Sequence, residues 1–299
     1  MAYQESIDAG GAAHHLPRVR TIGPRDLVDA LAKGIDDFRA MPTQVIFLCL
    51  IYPIAGLILA RMAFGYDLLP LLYPLASGFA LVGPVAAIGI YELSRQREQG
   101  REPSWTHAFD LLQADSFRAI LALGLTLLAL FALWIAIANA IYVAQFGYGS
   151  PASMSEFTEQ VLRTDAGHRL ILIGNAVGFL FALVSFCISV VAFPLLVDRD
   201  LSAMAAAATS VKAVVHNPLT MALWGLTVAV VLLIASLPLF AGLAVAIPVL
   251  GHATWHLYRK VIVPDLPRRE VHPAEPKGPR YAADFPAVLF PVHDKPPRQ

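Results

Sequence analysis

A run of 46 residues from Ala213 to Tyr258 contains no Asp, Glu, Lys or Arg. The hydrocarbon core of a bilayer is about 30 Å thick, and about 20 helical residues cross it. As a single helix the run would reach about 69 Å at about 1.5 Å per residue, more than twice that thickness. Two crossings joined by a bend near Pro238, where proline ends the helical hydrogen-bond ladder, fit the run better. The stretch therefore predicts a helical hairpin embedded in a membrane.

Apolar runs of this kind recur along the chain. Of the 299 residues, 57% are hydrophobic and only 15% are charged, whereas soluble chains carry about 25% charged residues. The charged residues lie almost entirely between the apolar runs. We predict an all-α integral membrane domain over residues 24–263. Its six transmembrane helices are expected at about 44–64, 68–91, 119–145, 170–197, 218–236 and 238–258.

The basic residues predict the orientation of the domain, because loops rich in Lys and Arg stay on the cytoplasmic side. With six spans, 19 of the 22 Lys and Arg residues fall on the side of both termini and 3 fall on the other side. Both termini are therefore expected in the cytoplasm. No cleavable apolar segment precedes the first span, so that span is expected to direct insertion.

The two ends of the chain have the composition of tails. Residues 1–23 contain Gly-Gly, scattered charge and no periodicity, which is typical of a disordered segment. Residues 264–299 contain nine prolines, which favour an extended chain without a core. We expect a disordered N-terminal tail and a Pro-rich, disordered C-terminal tail.

Three amphipathic stripes lie at 24–38, 105–112 and 201–215, and each precedes a pair of spans. In the first stripe, apolar residues follow helical spacing while Asp37 falls on another face together with other charged residues. Such helices commonly lie in the membrane interface. The predicted architecture is three hairpins, each preceded by an amphipathic interfacial helix, in a threefold internal repeat.

Ionisable residues recur at the cytoplasmic ends of the second spans of these pairs. If the repeat brings the three ends together, a polar cluster forms at the inner mouth of the bundle. Its expected members are Glu92, Asp198, Arg199, His252 and His256. The alternative is a set of separate ion pairs with neighbouring arginines, which interfacial charges commonly form.

Two pairs of polar residues are candidates for direct contact. His252 and His256 are four residues apart, so they share one helix face and could share a metal ion. Two ligands do not complete a zinc or copper site, so neither a metal nor a cofactor is predicted, and local hydrogen bonds are the alternative. Asn139 and Asn175 lie inside spans three and four, and we expect a hydrogen bond between them, worth about 1 kcal/mol.

Four segments resemble an uncharacterised family of bacterial inner-membrane proteins that is catalogued only as a domain of unknown function. They are GPV at 83–85 with YELS at 91–94, FPLLVDR at 193–199, NP at 217–218 with WG at 224–225, and PVLGHATWHLYR at 248–259. The resemblance covers about residues 26–263. It implies a six-span protein of the bacterial cytoplasmic membrane with no established activity. Some members carry the label of a cytochrome c oxidase subunit, which implies a respiratory complex as a partner.

The histidines argue against a catalytic oxidase subunit. A haem–copper core needs about six membrane-embedded histidines, because haem iron and copper both take imidazole ligands. Only His252 and His256 lie near a helix end here, and the other seven histidines lie in surface segments, tails or the outer loop. An accessory or assembly role beside such a complex stays open.

No catalytic motif, phosphate-binding loop or paired Cys motif occurs in the sequence. The spans lack the ionisable residues that ion-coupled carriers hold at membrane depth. The net charge of zero favours no nucleic-acid partner. We therefore expect a scaffold, assembly or accessory factor that contacts the lipid bilayer and other membrane proteins. The alternatives are a channel or transporter for a neutral or lipid-like solute, and a membrane enzyme that acts on a lipid.

Overall fold

The computed structural model describes residues 16–41, 69–79, 83–104, 116–149, 151, 153–238 and 241–264. The predicted first span at 44–64 and the predicted interfacial helix at 105–112 lie outside these residues, as do 1–15 and 265–299 of the predicted tails.

The described residues fold into helices. These are α1 (Pro24–Ala40), α2 (Leu72–Phe79), α3 (Gly83–Ala86), α4 (Ile88–Glu98), α5 (Phe117–Phe146), α6 (Met154–Arg163), α7 (Asp165–Ser189), α8 (Ala192–Asp198), α9 (Ala203–His216), α10 (Pro218–Ser236) and α11 (Leu243–Val261). Several begin at side-chain caps of the kind that satisfies free backbone N–H groups. Ser202 accepts a hydrogen bond from Ala205 N in α9, and Thr164 accepts one from Gly167 N in α7.

Three stretches among the described residues are long and apolar enough to cross a membrane. They are α5, the stretch Asp165–Asp198 that contains α7 and α8, and α10. Their bounds agree closely with the predicted spans 119–145, 170–197 and 218–236. The second stretch is interrupted after Ser189 because Pro194 has no N–H to donate to the preceding turn. Ser210 Oγ accepts the Val191 N–H at 3.1 Å beside this break.

The predicted second span at 68–91 is not one continuous helix. Its described residues form a 3-10 turn at Leu69–Leu71 followed by α2, α3 and the start of α4. Pro70, Pro74 and Pro84 each remove a backbone donor, so an unbroken hydrogen-bond ladder cannot run through the stretch. Helix α4 then extends to Glu98, seven residues beyond the predicted end of the span.

The predicted sixth span corresponds to α11, which is not among the helices that are long and apolar enough to cross a membrane by themselves. Polar residues in its second half lower its apolar character, and most of this half is buried against other helices. Its start lies close to the end of α10, since a Cβ added at Gly242 would lie 2.6 Å from the Ala235 carbonyl oxygen.

Helix α1 packs against α11, and its predicted position on a membrane surface stays a prediction. The fully buried residues of α1 are Leu27, Ala30, Gly34 and Asp37. Two larger apolar residues of the predicted stripe, Leu31 and Phe38, are partly buried against the same core. Small residues allow close approach here, since a Cβ added at Gly34 would lie 2.6 Å from Ala253 N. Asp37, expected on a face apart from the apolar stripe together with other charged residues, is buried.

Residues 18–22, expected in a disordered tail, are bound to the ends of two helices. Arg20 N donates to Val261 O at 2.7 Å, and Val19 forms an antiparallel bridge with Ile262. Ile22 N donates to Asn217 Oδ1 at 2.8 Å, and Asn217 immediately precedes α10. Backbone hydrogen bonding, which composition does not report, fixes this segment and brings the start of α10 near the end of α11.

Candidate functional site

At one end of the structure, α1, α4 and α8 pack around the last residues of α11. We call this region the polar end, defined by residues 26–37, 90–98, 192–199 and 251–261. It contains most of the buried charged side chains of the described residues. Gly251 permits the close approach of α4, since a Cβ added there would lie 2.9 Å from Ile90 Cγ2.

Asp37 is the centre of one cluster in the polar end. Its Oδ2 accepts hydrogen bonds from Ser94 Oγ at 2.8 Å and from His256 Nε2 at 2.9 Å. Its Oδ1 pairs with the guanidinium of Arg97. The Nδ1 atom of His252 lies 3.8 Å from Oδ2. Asp37 as a whole is only 4% exposed, so these contacts join α1, α4 and α11 through one buried charge.

Ser94 fixes the tautomer of His252. The Ser94 hydroxyl donates its single proton to Asp37, so its contact of 2.6 Å with His252 Nδ1 must be donated by the imidazole. His252 is therefore protonated at Nδ1 and carries a lone pair at Nε2. This Nε2 atom is buried and has no hydrogen-bond partner among the described residues.

We expect Ser94→Ala to lower the free energy of unfolding by about 1–3 kcal/mol, because it leaves a buried imidazole N–H and a carboxylate oxygen without their shared partner. The measurement is the thermal unfolding midpoint of the protein in detergent. In the same samples the ¹⁵N shifts of the imidazole should show that His252 loses its fixed Nδ1–H tautomer. The exposed Ser155→Ala is the control. Equal midpoints for the two variants would contradict a stabilising role of the hydrogen bonds that join Ser94 to Asp37 and His252.

Asp198 is the centre of a second cluster. Its Oδ2 accepts a hydrogen bond from Tyr258 Oη at 2.7 Å and lies 3.6 Å from Arg199 Nε. Arg259 Nη1 lies 3.6 Å from the same oxygen, and Arg259 Nε donates to Glu98 Oε1 at 3.1 Å. Arg259 therefore links the ends of α4, α8 and α11.

Glu92 belongs to a third set of contacts. It forms a buried ion pair with Arg95 at 2.7 Å and accepts a hydrogen bond from Gln96 Nε2 at 3.0 Å. Gln96 Oε1 in turn accepts the Ser104 N–H at 2.9 Å. This pair resembles the separate ion pairs that the sequence left open as the alternative to one cluster.

The five residues expected at the inner mouth are thus distributed over three sets of contacts. His252 and His256 meet at Asp37, Asp198 and Arg199 are in contact with each other, and Glu92 pairs with Arg95. Sequence reasoning missed Asp37 and Ser94, which connect the first set. A usable signal was present in α1, because Leu27, Ala30, Gly34 and Asp37 follow helical spacing and end at a carboxylate.

The surroundings of three acidic residues lower their pKa values. Burial opposes ionisation of Asp37, but hydrogen bonds from His256 and Ser94 outweigh it and lower the pKa. The Gly23 N–H and then Lys260 lower the pKa of Asp26, and Lys33 and then Lys260 lower that of Asp29. Partial burial disfavours the charge of Lys260, but its bonds to Asp29 and Asp26 outweigh this and raise the pKa.

These shifts predict how stability depends on pH. Asp37 has an ordinary pKa of 3.8 in the unfolded chain and a lower one in the folded protein. Its stabilisation is fully present above 3.8 and is lost as the pH falls through the folded pKa. The unfolding midpoint measured in detergent should fall on this acid limb, and less steeply in Asp37→Asn than in the wild type. Equal acid limbs for the two proteins would contradict the assignment.

The described residues contain no group of three or more His, Cys, Asp or Glu side chains arranged to hold a metal ion. In the candidate pair, His256 Nε2 is bound to Asp37 and His252 Nδ1 is bound to Ser94. The two imidazoles therefore share a carboxylate in this structure. Cys187 is a free thiol.

The expected hydrogen bond between Asn139 and Asn175 is absent. Asn175 Oδ1 accepts a hydrogen bond from Tyr73 Oη at 2.7 Å, and Asn175 Nδ2 donates to the Ile171 carbonyl oxygen at 2.7 Å. Asn139 is exposed on α5. The prediction was wrong because hydropathy indicates the depth of both residues in their spans but not the helix faces that carry them.

Residues 72–198 match the family model described as "Predicted integral membrane protein (DUF2189)". The chain is a membrane protein of a kind whose function is unknown. The match spans less than half of the chain and is shorter than the resemblance over about 26–263. The resembling segment at 83–94 lies inside it, and the segment at 193–199 lies inside except for its last residue. The segments at 217–225 and 248–259 lie outside. No curated protein and no solved structure matches the chain.

Proposed function

We propose that this integral membrane protein is an interaction protein, serving as a scaffold, assembly or accessory factor for other membrane proteins. The observation that carries the proposal is that the central polar side chains of the polar end are buried and paired with one another. Asp37, Ser94, Asp198 and His252 are each at most 4% exposed and hold the segments of the chain together. Their contacts stabilise the packing of the helices and leave none of these four side chains open to a substrate.

Catalysis at the polar end is the weaker alternative, because a general base or nucleophile must reach its substrate. Ser94 is 1% exposed and its proton is directed to Asp37. Two surface clefts lie elsewhere, one of about 520 Å³ along α6 and one of about 230 Å³ beside Tyr73, Trp134 and Asn175. Neither is lined by residues of the polar end.

Transport is also less well supported. Carriers that couple to ions hold ionisable residues at membrane depth. In the three candidate spans, ionisable side chains occur only near the ends, as with Arg118 in α5 and Asp165 and Asp198 in the second stretch. Large apolar residues cover much of the outer surface of α10, including Leu226 and Leu233, as expected for contact with lipid or a neighbouring helix.

We further propose six spans with both termini in the cytoplasm of a bacterial inner membrane. The bridge between Val19 and Ile262 supports an even number of crossings between these residues, because both lie on one side. Three candidate spans is an odd number, so at least one further crossing is needed. Helix α11 and the predicted spans at 44–64 and 68–91 would supply it, and the count of Lys and Arg assigns the orientation.

The test is native electrophoresis of membranes solubilised in a mild detergent, with the protein detected by a C-terminal tag. We expect a particle larger than the monomer that contains other membrane proteins, with respiratory subunits as one outcome. Glycerol should enter vesicles that contain the purified protein no faster than it enters vesicles without protein. A monomer with rapid glycerol flux would favour a channel, and turnover of added lipid that His252→Gln abolishes would favour an enzyme.

A further inference from the structure

Helix α9 has a buried side of small residues and an exposed apolar edge. Ala206, Thr209, Ser210 and Ala213 are fully buried, and the helix packs against α5, α7 and α8. Its other edge exposes Met204 by 79%, Val211 by 37% and Val215 by 70%. These three residues follow helical spacing, so they form one continuous edge.

This edge is continuous with the outer surface of a candidate span. Leu219, which is 86% exposed, lies four positions after Val215, and the series continues along α10 through Leu223 and Leu226. Helix α10 is long and apolar enough to cross a membrane, and such a crossing would place its exposed apolar surface against lipid. The exposed edge of α9 therefore adjoins the proposed lipid-facing surface of α10 at the start of α10.

The geometry between α9 and α10 indicates how α9 lies. The helix is interrupted at Asn217, whose φ of −127° and ψ of 53° are not helical. A straight continuation of α10 would carry Met204 about 20 Å beyond Asn217, well outside the headgroup layer. Instead α9 packs on the break between α7 and α8, where Ser210 accepts the Val191 N–H. The turn at Asn217 and this packing therefore keep α9 from continuing the axis of α10 away from the membrane.

We propose that the edge formed by Met204, Val211 and Val215 is embedded in the boundary between lipid headgroups and acyl chains, in the leaflet where α10 begins. Lys212 is exposed beside this edge and has no ion-pair partner among the described residues. Its long side chain reaches from an apolar edge to lipid phosphates, as basic residues of interfacial helices do. The occupant of this surface is thus the membrane itself. The inference rests on the proposed membrane crossing of α10.

The test uses spin labels at single cysteines in a background that lacks Cys49 and Cys187, reconstituted in vesicles with anionic lipid. Labels replace Met204, Val211 and Val215 in turn. Leu226→Cys is the lipid reference, and the exposed loop residue Glu102→Cys is the water reference. The measured quantity is collision with oxygen, which concentrates in lipid, relative to collision with a water-soluble nickel complex. We expect ratios at the three positions several-fold above that of Glu102 and below that of Leu226, which lies deeper in the proposed span.

Two results would overturn the inference while leaving the crossing of α10 intact. Ratios like that of Glu102 at positions 204 and 215 would show that the edge faces water. Low collision with both reagents would show that another protein or a second copy covers it. A water-like ratio at Leu226 itself would remove the membrane crossing on which the inference rests.

Discussion

Asp37→Asn is expected to lower the free energy of unfolding by about 3 kcal/mol, because removing one partner from a buried charge network strands the others. The variant keeps the size of the side chain, so the loss reports the charge and its hydrogen bonds. An amide has one oxygen acceptor where the carboxylate has two, so it cannot accept both from His256 and Ser94 and from Arg97. At about 3 °C for each kcal/mol, the unfolding midpoint in detergent should fall by about 10 °C.

The neighbouring Asp36→Asn is the matched control, since it makes the same chemical change on the same helix at an exposed position. A surface change of this kind alters stability by about 0.5 kcal/mol or less. Digestion by a protease should distinguish the two variants as well, with faster cleavage near α1 in Asp37→Asn only. Equal midpoints for the two variants would show that Asp37 does not hold α1 in place.

Gly34→Leu is expected to have a comparably large effect through packing alone. A Cβ at this position would lie 2.6 Å from Ala253 N and 2.8 Å from Ala253 Cα. The obstacle is backbone, which cannot rotate away, so α1 must separate from α11. Overpacking of this kind costs about 3 kcal/mol. The unfolding midpoint in detergent should fall, and the contacts of Lys260 with Asp26 and Asp29 should weaken with it.

The control is Gly174→Leu, which places the same side chain on a helix where an added Cβ meets nothing within 4 Å. Leucine also favours the helix over glycine by up to about 1 kcal/mol. We therefore expect no loss of stability for this variant. A loss at Gly174 equal to that at Gly34 would mean that the effect of Gly34→Leu arises from added bulk in general and not from the α1–α11 contact.

The bounds of three candidate spans were predictable from the sequence because crossing a membrane is a local requirement. About 20 consecutive apolar residues satisfy it whatever the rest of the chain does, and 119–145, 170–197 and 218–236 all satisfy it. The region 68–91 also has the composition of a span, but composition does not record the loss of backbone donors at Pro70, Pro74 and Pro84. Its helix is therefore broken where hydropathy shows no break.

The contacts of the polar end could not be predicted from the sequence. Ser94 lies 57 residues from Asp37 along the chain, and His256 lies 219 residues from it. The pattern in 24–38 showed an amphipathic helix, but its apolar stripe did not reveal that Asp37, on the neighbouring face, is buried as well. The side that packs is the one with Ala30 and Gly34, because small residues let two backbones approach.

By itself, the sequence determined that this chain is a membrane protein and where three of its candidate spans begin and end. The reason is that burial in lipid depends on residues that are consecutive along the chain. Tertiary structure alone decided that α1 lies against α11, that Asn175 bonds Tyr73 and that Asp37 is buried beneath two histidines. The physical reason is that a buried charge or amide takes whichever partner the packing of distant helices brings within about 3 Å.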